Sequence, residues 1–427
     1  MIQDFIYKLE KLGPFENHPI LAVAVSGGAD SLALTLLAHE YAKEKSGKII
    51  ALTVDHKLRE GSSKEAHELN ELLTKLGIEH HILTWDRNSN ISSNIQSKAR
   101  NARYQLLTDF CNKHQILHLL VGHHKNDQIE TFMMRLERGS GVSGLASMND
   151  INYLNKVRIL RPLLNTPPEK LRNYLKERKI SWAEDPSNLN EKFTRIKFRM
   201  MLKNYDDLSL DRIFNTSITM RRANYSIKKN TYAQMVKLLK IYKEGYATID
   251  IRLLLAIAQE ESFRILSDVL TTIGGSEYPP RYENIQRLYD KINSGSFRAH
   301  TLGSCKLIIK NKLLLVYKET KKDLYQENLI YTESFKWDNR FLITFKENIP
   351  IMRDETLKIT YFSNKINELK QIINIRKIPK PVLSTLPVFI ILDKVVAAPY
   401  IEYSAIGNID KYIKCSFMPK KALTGVL

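Results

Sequence analysis

The sequence predicts an α/β protein in three parts: a parallel-sheet domain over residues 1–205, a mainly helical basic domain over 206–320 and a small α+β domain over 330–427. Three observations carry that expectation. Short apolar runs alternate with helical patterns between residues 20 and 122, a glycine pair interrupts the first alternation, and the alternation stops near Asp206. Parallel strands need a crossover long enough to hold a helix, so such alternation implies a parallel sheet with helices on both faces.

Residues 20–25 read Ile-Leu-Ala-Val-Ala-Val, an apolar run of strand length, and Leu32, Leu34, Leu36 and Leu37 with Ala33 and Ala38 read as a helix packed on it. Between them lies Ser26-Gly27-Gly28-Ala29-Asp30-Ser31. A glycine turn lets the backbone approach a phosphate, the first amides of the following helix point at it, and Ser26 and Ser31 add hydroxyls. The G-x-x-x-x-G-K-[ST] phosphate loop is excluded, because neither its Lys nor its spacing is present. Asp30 stands there instead. A carboxylate repels phosphates unless a divalent cation lies between, so Asp30 points to Mg²⁺ held by few protein ligands, with substrate phosphates completing its shell. The S-G-G-x-D-S pattern resembles the PP-loop ATP pyrophosphatases, and that resemblance implies cleavage of ATP to AMP and pyrophosphate.

A second strand over 49–54 ends at Val54-Asp55-His56, where doubly wound sheets line an adenosine pocket. Val54 and Asp55 are therefore candidates for the base or ribose, and Asp55 as a plain helix-approach cap is the alternative. A helix over 63–76, a strand over 79–83 and a long helix over 92–114 follow. That long helix carries Arg100 and Arg103, three apart and on one face, able to reach phosphates together or to sit solvated. A fourth strand over 117–122 runs into Gly122-His123-His124-Lys125-Asn126-Asp127-Gln128-Ile129-Glu130-Thr131. His123, Asp127 and Glu130 are spaced by four and three, so a helix aligns them toward the carboxyl edge of the sheet. They suit a metal or a cationic substrate, and Asn126 or Asp127 also suits a simple helix cap. Gly139, Gly141 and Gly144 read as a loop over the site.

Taken together, S-G-G-x-D-S, V-D-H-x-L-R, A-R-x-x-R-Y (Ala99 to Tyr104) and H-x-x-N-D-x-x-E-T (His123 to Thr131) resemble the tRNA(Ile)-lysidine synthetases. Arg161-Pro162, Glu184-Asp185-Pro186-Ser187-Asn188, Phe193, Arg195 and Arg199 continue the likeness. Ile196 stands where that family usually has Asn, and the Arg common before Pro387 is missing. The resemblance implies ligation of L-lysine to the 2-carbon of the wobble cytidine in the CAU anticodon of tRNA(Ile). The route implied is an adenylated tRNA, with release of pyrophosphate and then AMP, and the product reads AUA in place of AUG. Asp30 would then hold Mg²⁺, Arg100 and Arg103 would neutralise charge, and Asp127 with Glu130 would hold lysine. Rival readings are another PP-loop tRNA-modifying or amidating enzyme, or an RNA-binding protein that a nucleotide regulates.

Past residue 206, helical periodicity is expected over 213–243 and 251–273, with Arg221, Arg222, Lys228 and Lys229 on the first helix. A further helix runs from the Tyr278-Pro279-Pro280-Arg281-Tyr282 stretch to about residue 292, and residues 306–318 read as a hairpin turning at Asn311-Lys312. The polar stretch 319–328 marks a boundary. Beyond it, strands are expected over 341–345, 357–362, 388–392 and 395–398, with a helix over 366–373; Lys365, Lys370, Arg376, Lys377 and Lys380 are available to an RNA stem.

Charge supports that division of labour. The chain has 427 residues, with 65 Lys and Arg against 46 Asp and Glu, a formal net charge of +19. The excess is +5 over residues 1–210, +8 over 211–320 and +6 over 321–427, densest outside the nucleotide loop's domain. A polyanionic partner is the natural reading. Cys111, Cys305 and Cys415 are far apart and form no C-x-x-C pair or disulfide framework. With no signal or membrane segment legible at the start, a reduced, cytoplasmic chain is expected. The oligomeric state stays open, a dimer among the options.

Overall fold

Apolar runs with no polar face can only be satisfied between two layers, and that is where the first, second and fourth lie. In the computed structural model, which describes residues 1–56, 62–85, 95–183, 194–202, 204–320, 326–328, 334–345, 356–369, 378–405, 407 and 412–423, the first four runs are adjacent strands of a six-stranded sheet, the third of them half-buried at its edge. Helix α1 (Ile2–Glu10) precedes β1 (Ile20–Ala24), α2 (Ala29–Glu44), β2 (Lys48–Asp55), α3 (Ser62–Lys75), β3 (Glu79–Thr84), α4 (Ile95–Lys113) and β4 (His118–Val121). Next come α5 (Lys125–Glu137), a one-turn α6 (Val142–Leu145), a hairpin of β5 (Ile151–Leu154) and β6 (Val157–Leu160), α7 (Pro168–Glu177) and α8 (Thr194–Leu202). The strand order is β3-β2-β1-β4-β6-β5, parallel except for edge strand β5. The chain moves outward from β1 to β3, then returns to place β4 on the other side of β1. The strand order therefore reverses between β1 and β4, the position where open α/β sheets bind ligands.

Leu21, Ala22 and Val23 are fully buried, each face of β1 being covered. On one face α2 inserts Leu32, Leu34, Leu37, Ala38 and Tyr41 between the sheet and a layer made by Phe5 and Leu9 of α1 and by Leu171, Tyr174 and Leu175 of α7. Burying each large apolar side chain contributes about 1.5–3 kcal/mol, which explains why α2 is apolar nearly all round. On the other face Leu107 and Cys111 of α4 pack against Ile50, Leu52, Leu119 and Val121.

By contact density the chain divides into two compact units, residues 1–225 and 226–425. The dividing point falls within the 32-residue helix α9 (Asp207–Leu238). In the second unit, β7 (Leu239–Tyr242), β8 (Tyr246–Asp250), β9 (Ala299–Leu302), β10 (Cys305–Lys310) and β11 (Leu313–Lys318) form an antiparallel sheet ordered β7-β8-β11-β10-β9. Helices α10 (Ile251–Ala256), α11 (Gln259–Gly274) and α12 (Tyr282–Asn293) bury Leu266, Leu270, Ile273 and Leu288 with Leu307, Leu314 and Val316 of that sheet. A second core gathers Trp337, Phe341, Leu357, Ile359, Val388 and Phe389 from two smaller antiparallel sheets, whose strands include Phe341–Phe345, Lys358–Tyr361, Pro387–Ile391 and Lys394–Ala398.

Between these cores lies a buried charged knot. Arg340, fully buried, donates from Nε to Asp338 Oδ2 at 2.7 Å and from Nη2 to the Thr385 carbonyl at 3.0 Å. Lys318 Nζ lies 3.5 Å from Asp338 Oδ1 and donates to the Gly274 carbonyl at 2.5 Å.

Four local expectations change. Residues 239–242, expected as the end of a helix, are strand β7, because Leu-Lys-Ile-Tyr alternates and pairs with β8 across a turn at Gly245 (φ +75°). The helix expected over 251–273 breaks at Ile257, whose backbone is extended; the Ser262 hydroxyl takes the freed Leu254 carbonyl at 2.7 Å. The loop expected over 139–144 includes the first residues of α6. The helix expected over 366–373 is described only as Ile366–Leu369, and Lys370, Arg376 and Lys377 lie outside the described residues. Among the described residues, no helix is long and apolar enough to cross a membrane.

Candidate active site

The ends of β1 and β4 lie side by side, Ala24 opposite Val121, and each runs directly into a loop. After β1, the Val25 N–H makes a last ladder-like bond to Leu52 O at 2.9 Å. Gly27 then takes φ +82°, a conformation strained for any side chain, and Gly28 caps α2 in an extended conformation. After β4, a Cβ on Gly122 would stand 3.1 Å from Ser31 Cα and 3.2 Å from Ser31 N, so glycine lets the two loops touch. Ala29 is buried and Asp30 half-buried in the first turn of α2, whose amides lack partners inside the helix. This is the geometry of an anion site. The two serines are bonded within the loop: Ser31 Oγ donates to Gly28 O at 3.0 Å and accepts the Ser26 N–H at 3.1 Å, with Ser26 Oγ 3.2 Å away. They brace the loop, and a phosphate would reach them only by exchange.

Behind the loop runs a polarised chain. Thr53 Oγ1 gives its one proton to Val25 O at 3.0 Å, so the contact to His80 Nε2 at 2.8 Å is donated by the imidazole. Burial pushes His80 down to about 4 and keeps it neutral. Its Nδ1, 3.0 Å from the Asn70 amide, is then an acceptor, which turns the amide nitrogen of Asn70 toward it.

Asp30 faces two ways. Its Oδ1 is buried with no hydrogen-bond partner among the described residues, and its Oδ2 lies 3.4 Å from His124 Nε2. That same nitrogen is 3.6 Å from Asp127 Oδ2, which accepts the His124 backbone N–H at 2.9 Å and so caps α5. Burial opposes charge on His124, yet the bond to Asp30 and the charges of Asp127, Asp30 and Glu130 outweigh it and move its pKa upward.

Asp127 and Glu130 share a face of α5 as the spacing predicts, and both carboxylates are engaged by α8. Arg195 donates from Nε to Glu130 Oε2 at 2.6 Å and from Nη2 to Asp127 Oδ1 at 2.5 Å. Arg199 donates from Nε to Glu130 Oε1 at 2.7 Å. Glu130 is 2% exposed, so each of its oxygens is held away from water by a guanidinium. Burial raises the Asp127 pKa, and the charges of His124, Arg195 and His123 with the His124 amide bring it below the usual range. Burial disfavours the charge on both arginines, and the acids more than offset it. The cluster pairs two carboxylates with two guanidiniums and is formally neutral.

His123 is held neutral, by burial first and then by Arg161, Arg195 and Arg100, against the pull of Asp127. Arg100 stacks over Tyr104 with its guanidinium carbon 5.4 Å from the ring centre. Arg103, exposed on α4, is close enough to His56 to add to the burial that lowers that imidazole. Asp55 is buried at the end of β2, its carbonyl taking the Trp85 N–H at 3.0 Å, and His56 packs edge-on against the Trp85 ring at 5.7 Å. Val54 is half-buried beside them. Arg59, residues 184–188 and Phe193 lie outside the described residues.

Sequence reasoning named Arg195 and Arg199 in the resemblance but gave them no contact with the acids. Arg195 and Arg199 are four apart on α8, a spacing that mirrors the i, i+3 acids on α5, and that pattern was the available signal. It also missed how the 144–150 loop is fastened: Arg135 binds the Gly144 and Ser147 carbonyls at 2.6 and 3.0 Å, Gln128 pairs with both backbone groups of Met148 at 2.8 Å, and Arg161 takes the Asn149 carbonyl at 2.8 Å.

A family model described as a PP-loop domain matches residues 1–205. The tRNA(Ile)-lysidine synthase of Orientia tsutsugamushi (strain Boryong) is 34% identical over 432 residues, covering 98% of this chain and 97% of that one. The enzyme of the same name from Rickettsia bellii (strain RML369-C) is 34% identical over 408 residues, 93% of each chain. That of Wolbachia pipientis wMel is 34% identical over 414 residues, 94% of this chain and 93% of its own.

Proposed function

This chain belongs to the tRNA(Ile)-lysidine synthase family, ATP-using ligases, and on that premise we propose how its residues divide the reaction. The substrate is a tRNA(Ile) with a CAU anticodon. The O2 of the wobble cytidine attacks the α-phosphorus of ATP and pyrophosphate leaves. The ε-amine of lysine then attacks carbon 2, the carbon–oxygen bond breaks, AMP departs with that oxygen, and the amine gives up its proton.

The backbone of Gly27 to Ser31 cradles the phosphates, and Val54 and Asp55 line the adenosine side. Asp30 Oδ1, buried and without a partner among the described residues, is the oxygen that fits Mg²⁺, a hard cation that takes carboxylate and phosphate ligands. When bound, that ion would neutralise phosphate charge. Arg100 and Arg103 add positive charge from α4. Free lysine is a zwitterion with an extra ammonium, so Asp127 and Glu130 would receive an ammonium while Arg195 and Arg199 turn to its carboxylate. Because the cluster begins neutral, such an exchange leaves no uncompensated buried charge. Residues 206–320 and 330–427, net basic, are proposed as two tRNA-binding domains.

The observation that carries this reading is that His124 Nε2 bridges the Asp30 carboxylate, at 3.4 Å, and Asp127 of the Asp127–Arg195–Glu130–Arg199 cluster, at 3.6 Å, at the sheet's switch point. Asp127→Asn and Glu130→Gln test it. Each should raise the lysine KM about 10-fold or more, the loss of one charge-assisted bond, while tRNA adenylation in the absence of lysine persists. Loss of adenylation with normal lysine affinity would remove these acids from the lysine site.

A further inference from the structure

A carboxylate that binds a cation through one oxygen needs its other oxygen fixed, or rotation about the Cβ–Cγ bond exchanges the two. Asp30 has one oxygen engaged and one bare: Oδ2 is 3.4 Å from His124 Nε2, and Oδ1 is buried with no hydrogen-bond partner among the described residues. His124 itself is tightly placed. It is 8% exposed, it directly follows the Gly122-His123 approach to Ser31, and its backbone N–H is pinned to Asp127 Oδ2 at 2.9 Å. Its ring therefore reaches Asp30 from a rigid helix start, and the position of α5 is transmitted to the carboxylate at the start of α2.

We infer that His124 is a positioning residue: its Nε2–H holds Asp30 Oδ2 and thereby presents Oδ1 to the divalent cation of the nucleotide. The inference rests on the reading of Asp30 as a cation ligand. It also explains why Nε2 stands within 3.6 Å of Asp127 Oδ2, since the same imidazole then sets the spacing between the nucleotide's cation and the lysine cluster.

The side-chain amide nitrogen of Gln reaches roughly the place of a histidine Nε2, and that of Asn only the place of Nδ1. The probe is Mn²⁺ binding, read by electron paramagnetic resonance with α,β-methylene ATP present, so no turnover is needed. Asp30→Asn should abolish tight Mn²⁺ binding, His124→Asn should weaken it about 10- to 100-fold, and His124→Gln should restore it to near the wild-type value. If His124→Asn fails to fold, His124→Phe, with the ring's volume and no N–H, takes its place. Wild-type affinity in the Asn or Phe variant, with Asp30→Asn still defective, would overturn the role of His124 and leave that of Asp30 standing. Equal losses in Gln and Asn would assign the effect to packing and also overturn it. Undiminished binding in Asp30→Asn would remove the premise itself.

Discussion

Thr53 has a single hydroxyl proton, and its use on Val25 fixes the direction of every hydrogen bond back to Asn70. That chain makes a pH prediction. His80 stands near 4 in the folded chain against 6.5 for a free imidazole, so between those values the unfolded chain binds a proton that the folded chain does not. Stability is then full above about pH 6.5 and falls as pH drops toward 4. Thermal unfolding of His80→Gln across this window should show a shallower decline with acidification than the wild type; a parallel decline would mean His80 is not held neutral. Single residues were the most legible level of the site. Asp30, Asp127 and Glu130 announced themselves because a turn or a helix sets their spacing locally. The arginines that engage Asp127 and Glu130 lie 65 and more residues away in sequence, a contact only tertiary packing creates.

Elements were legible where backbone chemistry dictated them. Asn311-Lys312 was read as a turn, and the structure gives φ +52° and +62° between Lys310 and Leu313, a two-residue loop of the type that matches strand twist. The same dipeptide at Asn155-Lys156, φ +48° and +71°, closes the β5–β6 hairpin, which went unread because only four residues flank it on each side. A left-handed Lys costs about 1–2 kcal/mol and Gly loses about 0.5–1 kcal/mol of chain entropy there. Lys312 is exposed, so Lys312→Gly should stabilise the protein by about 0.5–1 kcal/mol in urea unfolding; a net destabilisation would contradict the turn assignment. Strands β7 and β8 escaped notice because Leu-Lys-Ile-Tyr fits a helix face as well as a strand over so short a window.

At the scale of the molecule, the sequence divides at a change of periodicity, while the second unit's coherence depends on a knot no pattern displays. Asp338 stands between the buried Arg340 and Lys318, and burial already lowers the Lys318 pKa. Removing the acid strands a buried guanidinium, so Asp338→Ala should cost about 3–5 kcal/mol, followed through the fluorescence of Trp337 in the adjoining core. A loss below about 1 kcal/mol would mean the charges are not dependent on each other. The knot lies within the second unit and ties its cores together. Adenylation of a tRNA at the ends of β1 and β4, followed by displacement of AMP by lysine, is the reaction proposed for the chain. Mass analysis of tRNA(Ile) after incubation with the protein, ATP and isotopically labelled lysine, with the nucleotide products quantified in the same reaction, tests it most directly. One lysine per wobble cytidine, with AMP and pyrophosphate in equal amount, is the predicted result, and ADP with inorganic phosphate, or ATP consumed while the cytidine stays unmodified, would contradict it.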